Sequence, residues 1–370
     1  MEPAYRNLAL LLDLKAKRSM KAAQAHGEGR KALITGITGQ DGQLLCELLL
    51  SKGYRVAGVA RRPVTLSSLG LVGQVEDRFQ SITGDLGDPA TVEAAIRDFQ
   101  PDELYNLASQ SSPALSWTLP VETARISALG AHLVFDAVRL LHPACRVFHA
   151  SSSEVLGGAA GALLNETAPL APTNPYAISK AFAQSMAQAY RQRYGLFISC
   201  GILFNHESPR RGMSFITQKV ALGAACAACG LITSGERDEL GEPVVSQGRI
   251  RLGNLDAARD WAFAGDIVEA MWLTLQHHEA GDFVLGTGHL HTVRDLCFAA
   301  YAAVGKDWRE HVDTDPRFLR SADIARAADI SKATFLLGWR PTTSFEQMVG
   351  DMVRSHVDRL SRYRDQRTST

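Results

Sequence analysis

Residues 31–51 constrain this chain most. Lys31-Ala32-Leu33-Ile34-Thr35 is a short apolar strand, Gly36-Ile37-Thr38-Gly39-Gln40-Asp41-Gly42 is a glycine loop, and Gln43 to Ser51 has the pattern of a helix. The spacing is G-x-x-G-x-x-G, a variant of the commoner G-x-G-x-x-G. Glycines in such a loop let backbone N–H groups approach a pyrophosphate at the helix N-terminus, where unpaired amides and the helix dipole favour an anion. Gly36, Thr38, Gly39, Gln40, Asp41 and Gly42 are therefore candidate dinucleotide-binding residues.

The strands that should flank this unit follow in order. Tyr54 to Ala60 reads as a second strand ending in Arg61-Arg62, where an acid would hold the ribose 2′-hydroxyl of NAD. Two arginines suit a 2′-phosphate instead, so NADP is the expected cofactor. A third strand, Phe79 to Thr83, ends in Gly84-Asp85-Leu86, placing Asp85 to hydrogen-bond adenine with Leu86 packed on it. Asp88 is the expected N-cap of a helix from Pro89 to Phe99. Strand four, Glu103 to Leu107, leads into small and polar residues, the usual ligand-facing end of a parallel strand, and Leu107 is counted with the cofactor side. A long helix over about Val121 to Leu141 precedes a fifth strand, Arg146 to Ala150. This alternation predicts an α/β fold with a doubly wound parallel sheet.

The fifth strand runs into Ser151-Ser152-Ser153-Glu154, and Asn174-Pro175-Tyr176-Ala177-Ile178-Ser179-Lys180 follows. Tyr176 and Lys180 are four residues apart and share a helix face. A lysine cation beside a phenol favours phenolate, so a lowered Tyr176 pKa is expected, with the phenol acting as a base toward a sugar hydroxyl. Ser152 would bond the same hydroxyl, and Glu154 adds a second acid or base.

Beyond Lys180 the helix continues to Tyr194, and Leu196 to Phe204 reads as a sixth strand. It ends in Asn205-His206-Glu207-Ser208-Pro209-Arg210-Arg211-Gly212, a polar cluster suited to a diphosphate, with His206 expected to position rather than catalyse. Lys219 lies in the next helix, Met213 to Cys229, and joins Asn205, Arg211 and Arg259 as candidate substrate-binding side chains. Asp260 could equally neutralise Arg259 in a structural pair. Residues 230–248 read as a mobile polar loop. Helices are expected over Ala264–Leu275, Thr292–Val304 and Ser344–Arg359, with a strand and turn at Asp282–Gly288 and a frayed tail past Tyr363.

Zero formal net charge gives no electrostatic case for nucleic acid or an anionic membrane as partner, and no apolar run is long enough to span a bilayer. Six cysteines in mostly apolar settings suit buried thiols of a reducing cytosol, with no metal site expected at Cys226-x-x-Cys229. A cytoplasmic protein is the expectation. Residues 1–29 read as an extension with a short amphipathic helix and no assignable role.

These residues resemble the extended short-chain dehydrogenase/reductase superfamily and, within it, the GDP-mannose 4,6-dehydratases. The most specific parts are Thr35 to Gly42, Gly201 to Gly212, and Leu252-Gly253-Asn254-Leu255-Asp256 with Arg259-Asp260-Trp261. The resemblance implies a Rossmann domain at 30–204, a smaller discontinuous substrate domain mainly at 205–363, and a tail at 364–370. It also implies a GDP-sugar substrate and a homodimer or homotetramer. The family's base, lysine and acid/base glutamate match Tyr176, Lys180 and Glu154. Ser152 stands at its threonine, and Arg320 falls where the family contacts the nucleotide. Three departures stand out: Leu156 where the family carries a tyrosine, a longer loop around 233–248, and the N-terminal extension. A dehydratase of a related GDP-sugar such as a GDP-heptose, or an epimerase or 4-keto reductase, remains an alternative.

Overall fold

Seven strands form the central sheet: β1 (Lys31–Thr35), β2 (Arg55–Ala60), β3 (Phe79–Thr83), β4 (Glu103–Asn106), β5 (Arg146–Ala150), β6 (Ile198–Leu203) and β7 (Asp282–Leu285). Their spatial order is β7-β6-β5-β4-β1-β2-β3, and every pair is parallel. The computed structural model describes residues 29–71, 76–158, 162–319 and 324–368, so the N-terminal extension before Gly29 and Arg320 lie outside the described residues.

Continuous burial through β4, β6 and β7 follows from helices covering both faces. The longer helices are α1 (Gln40–Ser51), α2 (Pro89–Phe99), α3 (Ala131–Leu141), α4 (Pro175–Tyr194), α5 (Ile216–Cys229), α6 (Ala264–Gln276), α7 (Val293–Ala302) and α8 (Phe345–Thr368). On one face, Leu45 and Leu49 of α1 share a core with Ile267, Met271 and Leu275 of α6. On the other, Val92 and Ile96 of α2 pack with Val134, Phe135 and Val138 of α3 and Ala183 and Ala187 of α4. A separate core joins α5, α7 and α8 to the short strand Arg249–Leu252. The active-site candidates lie where this second body meets the sheet.

Capping follows the sequence. Asp88 accepts from Ala90 N at the start of α2, and Asn174 accepts from Ala177 N at 2.9 Å at the start of α4. Each cap is worth about 1 kcal/mol. Charged Glu103 is fully buried at the amino end of β4, where Tyr54, Tyr105 and Gln276 donate to it and Arg30 lies 3.0 Å away. That full set of partners offsets its desolvation.

Three expectations need correction. The single helix Val121–Leu141 is instead Pro120–Ala124, a π-helical segment Arg125–Gly130, and α3. The wider turn lets Ser127 Oγ meet Ser109 Oγ at 2.8 Å. Within the polar cluster after β6, Asn205–Glu207 forms a short strand paired in parallel with Trp261–Phe263. Residues 230–248 are folded as a hairpin: Ser234 N donates to Val245 O, Val244 N to Glu236 O and Asp238 N to Glu242 O, with Val244 and Val245 buried. The chain past Tyr363 continues α8 to Thr368. All six cysteines are unpaired, five of them buried. Among the described residues no helix is long and apolar enough to cross a membrane, and no cluster of His, Cys, Asp or Glu could hold a metal ion.

Candidate active site

The chain leaves β1 toward β2 and β3, then returns to β4 on the opposite side of β1. The carboxyl ends of β1 and β4 therefore bound the crevice where such sheets bind ligands. Thr35, the last residue of β1, closes this junction. Its Oγ1 donates to Asn106 Oδ1 at 2.8 Å and accepts from Leu107 N and Ala108 N, each at 3.2 Å. Gly36 has φ +72°, and a Cβ there would stand 2.8 Å from Ala108 N. A Cβ at Gly42 would stand 2.4 Å from Gly36 O, so α1 can approach the strand only through glycine. Gly39 caps α1, and the nearest atom to a Cβ there is Gly36 O at 3.3 Å. The backbone cradle ahead of α1 fits a dinucleotide pyrophosphate.

The glycine loop is bolted to a segment far along the chain. Gln40 Nε2 donates to His206 O at 3.1 Å, and Ser208 Oγ donates to Gln40 Oε1 at 2.8 Å. His206 Nε2 lies 2.9 Å from Asp41 Oδ2, and His206 Nδ1 donates to Phe204 O at 2.7 Å. Both ring nitrogens thus face acceptors. Burial alone would raise Asp41 and lower His206. The mutual charge and hydrogen bond win, holding Asp41 at about 2 and His206 above its usual range. Gln40 and Asp41 consequently direct their side chains to the segment 205–208. His206 thereby fixes the glycine loop to the strand after β6.

Ser152, Glu154, Tyr176 and Lys180 converge at the carboxyl end of β5. Lys180 Nζ donates to Ala150 O at 2.7 Å and lies 5.8 Å from the Tyr176 ring centre. Ser152 hydrogen-bonds Tyr176, and the charge of Glu154 is close enough to act on it. Glu154 Oε2 accepts from Asn174 Nδ2 at 3.3 Å. The expected lowering of the Tyr176 pKa is not found in the protein alone. Burial pushes Tyr176 up to about 12, and the Ser152 hydrogen bond and the nearby Arg211 charge only partly offset this. The lysine is itself buried, which pulls its pKa down to about 8 despite Asp41. Its ammonium is tied to the β5 carbonyl rather than to the phenol.

At the far end of the crevice, Arg61 and Arg62 are exposed after β2. Asp85 accepts from Gly87 N at 2.7 Å and from Arg125, whose Nη1 lies 3.1 Å away, and Leu86 is buried. The Asp85 carboxylate is held below its usual range mainly by the Arg125 hydrogen bond. Arg125 also pairs with Glu122 at 2.9 Å. Sequence reading missed this arginine because it falls in the π-helical turn.

Of the side chains expected to bind substrate, Asn205 lies opposite Trp261 in the short parallel pair. Arg211 sits 3.3 Å from Glu207 Oε2 and 3.5 Å above the Phe215 ring. Lys219 is buried and ion-paired with Glu239. Arg259 donates to Ala258 O at 2.8 Å. Buried Asp260 accepts from Thr287 N, Thr287 Oγ1, Gly288 N and Ala328 N, so it organises the turn after β7. Leu156 is buried in an apolar cluster with Leu164, Ile202 and Val284 rather than on a wet pocket wall. Asn174 was also missed as a site residue, although the run Asn-Pro-Tyr before an apolar-periodic helix carries the N-cap signal.

A family profile described as GDP-mannose 4,6 dehydratase matches residues 33–352. GDP-mannose 4,6 dehydratase 1 of Arabidopsis thaliana is 38% identical over 360 residues, covering 94% of this chain and 95% of that protein. GDP-mannose 4,6 dehydratase of Homo sapiens is 34% identical, covering 91% and 95%. Among solved structures, UDP-glucose 4-epimerase of Thermus thermophilus in complex with NAD aligns with TM-score 0.73 and 26% identity over 88% of this chain and 98% of that one. dTDP-glucose 4,6-dehydratase of Bacillus anthracis shares the fold, with TM-score 0.74 and 19% identity over 90% and 98%. With the profile spanning most of the chain and these relatives matching nearly end to end, the chain belongs to the GDP-mannose 4,6-dehydratase family.

Proposed function

We propose that this chain is a lyase that converts GDP-mannose to GDP-4-keto-6-deoxy-mannose, with NADP as an internally recycled cofactor. The observation that carries the reading is Glu154, a carboxylate held by Asn174 beside the Ser152–Tyr176–Lys180 group. A plain reductase has no use for an acid at that place. Residues 30–204 carry the cofactor in this reading and residues 205–363 mainly the sugar nucleotide. Arg61 and Arg62 favour the 2′-phosphate of NADP.

NADP, held by the glycine loop with Arg61 and Arg62, would supply a reversible hydride acceptor for the sugar's C4 and C6. Tyr176 accepts the C4 hydroxyl proton, with Ser152 aligning that hydroxyl and Lys180 supplying positive charge beneath the ring. The C4 ketone acidifies C5–H, and Glu154 removes that proton and passes it to the departing C6 hydroxyl, which leaves as water. The proton held by Tyr176 then completes C5, so no net redox change results. Arg211, with Asn205, Lys219, Arg259 and Arg320, is assigned to the sugar nucleotide.

The test is mass spectrometry of GDP-mannose incubated with the purified protein and NADP. A product lighter by one water and carrying a keto group is expected. Absence of that product, while another GDP-hexose is dehydrated, would move the sugar assignment. Net consumption of NADPH on a keto-sugar would replace dehydration with reduction.

A further inference from the structure

The tip of the hairpin formed by residues 233–246 presents three carboxylates, and each meets a cation from another part of the chain. Glu239 pairs with Lys219 of α5. Glu242 pairs with Arg251 of the strand Arg249–Leu252 and, at 3.2 Å, with Arg317, which also pairs with Asp315 outside the hairpin at 2.7 Å. Asp238 lies 3.6 Å from Arg251 and accepts from Leu240 N and Glu242 N, which shapes the tip.

The three cations form one group. A Cβ at Gly253 would stand 2.3 Å from Phe318 O, and Asp315 N donates to Leu252 O at 2.8 Å, so the Arg251 strand and the Arg317 turn are in close contact. Lys219 Nζ lies 5.6 Å from the Phe318 ring centre. Lys219 is also one helical turn beyond Phe215, the ring beneath Arg211. The cations thus extend the Arg211 side of the pocket outward, and hairpin carboxylates occupy them where a polyanionic substrate would compete.

The hairpin has a fixed base and a lightly held tip. Val244 and Val245 are buried in the α5–α8 core, and Glu236 pairs with Arg359 of α8 at 3.0 Å. At the tip Leu240 is 44% exposed, and Gly241 takes φ +76°. Moving the tip therefore breaks ion pairs but uncovers little apolar surface. Partly exposed pairs of this kind are weak and readily exchanged.

We infer that the acidic tip of residues 238–242 is an electrostatic lid, whose carboxylates hold Lys219, Arg251 and Arg317 until a nucleoside diphosphate displaces them. The inference rests on the proposed use of a GDP-sugar. The lid selects for ligands with enough negative charge to replace Glu239 and Glu242, and it keeps Lys219 and Arg251 neutralised between turnovers.

Two measurements test it. The double variant Glu239→Gln/Glu242→Gln keeps Asp238 and the turn, and should bind GDP about three- to tenfold more tightly, with KM for GDP-mannose falling in parallel. Its kcat should stay within about twofold. In the unaltered chain, inorganic pyrophosphate should speed amide exchange at Leu240 and Glu242 and leave Val244 protected. Unchanged or weaker GDP binding by a variant of unaltered Tm overturns the lid, as does tip exchange that ignores pyrophosphate. Tighter GDP binding without water loss from GDP-mannose would keep the lid and remove the dehydratase reading. Dehydration with identical GDP affinity in both proteins would do the reverse.

Discussion

The two sides of the crevice are built by different physics. The side proposed for the cofactor is joined by short, largely buried contacts: Thr35 to Asn106, Gln40 to Ser208, and His206 to Asp41. The mouth proposed for the substrate is held by partly exposed pairs, Glu242 with Arg251 and Arg317 among them. Buried hydrogen bonds are costly to leave unmade, whereas exposed ion pairs contribute little and exchange with water and salt. The first side is suited to a ligand that stays through each turnover, the second to one that must enter and leave.

Substitutions should separate the two sides by size of effect. Tyr176→Phe should lower kcat/KM about 10²–10⁴-fold, and Glu154→Gln by about 10²-fold or more. They differ in kind: Glu154→Gln should still reduce NADP in a single turnover, read by absorbance, and Tyr176→Phe should not. Retained water elimination in Glu154→Gln would take Glu154 out of the mechanism. Gly42→Ala should come next, because its new methyl meets Gly36 O and the Ile37 backbone. A loss of about 1–3 kcal/mol in urea unfolding is expected, together with weakened NADP binding.

His206→Gln should cost about 1–3 kcal/mol, and its pH dependence tests the cause. The His206 pKa is raised on folding, so its contribution is full below the unfolded value of 6.5 and is lost as pH rises through the folded value. Asp41 is lowered to about 2, so its contribution is present above 3.8 and lost as pH falls toward 2. The gap between wild type and His206→Gln should therefore be widest at about pH 4–6.5 and narrow in alkali. A gap independent of pH would make the pair merely steric. The smallest effect belongs to the mouth: Arg317→Ala should leave the urea midpoint within experimental scatter, while added salt weakens GDP binding.

This contrast also explains what could be read from sequence. β1 and β5 were legible to the residue, because parallel strands buried on both faces appear as short apolar runs between glycines and caps, and the half-buried edge strand β3 was legible from the Gly84-Asp85 turn that ends it. Ser152, Glu154, Tyr176 and Lys180 were legible because spacing along one strand end and one helix turn places them. The strand Asn205–Glu207 was not, since its polar residues are buried by partners from Gln40, Asp41 and Thr217 that no local pattern announces. The π-helical turn kept an unbroken apolar periodicity and so concealed Arg125. The Tyr176 pKa was misread because spacing shows that a lysine is near but neither that burial raises the phenol nor that the ammonium faces the Ala150 carbonyl. The hairpin was misread because its order comes from Val244 and Val245, two apolar residues in a polar stretch.

Asn174 ties two events together. One end of its amide starts the winding of α4, and the other holds the Glu154 carboxylate. A molecule in which that first helical turn has unravelled has also lost its grip on the acid, even with every catalytic residue present. Chemical competence and local order are then gained and lost as one, so water elimination doubles as a gauge of whether this helix end is intact.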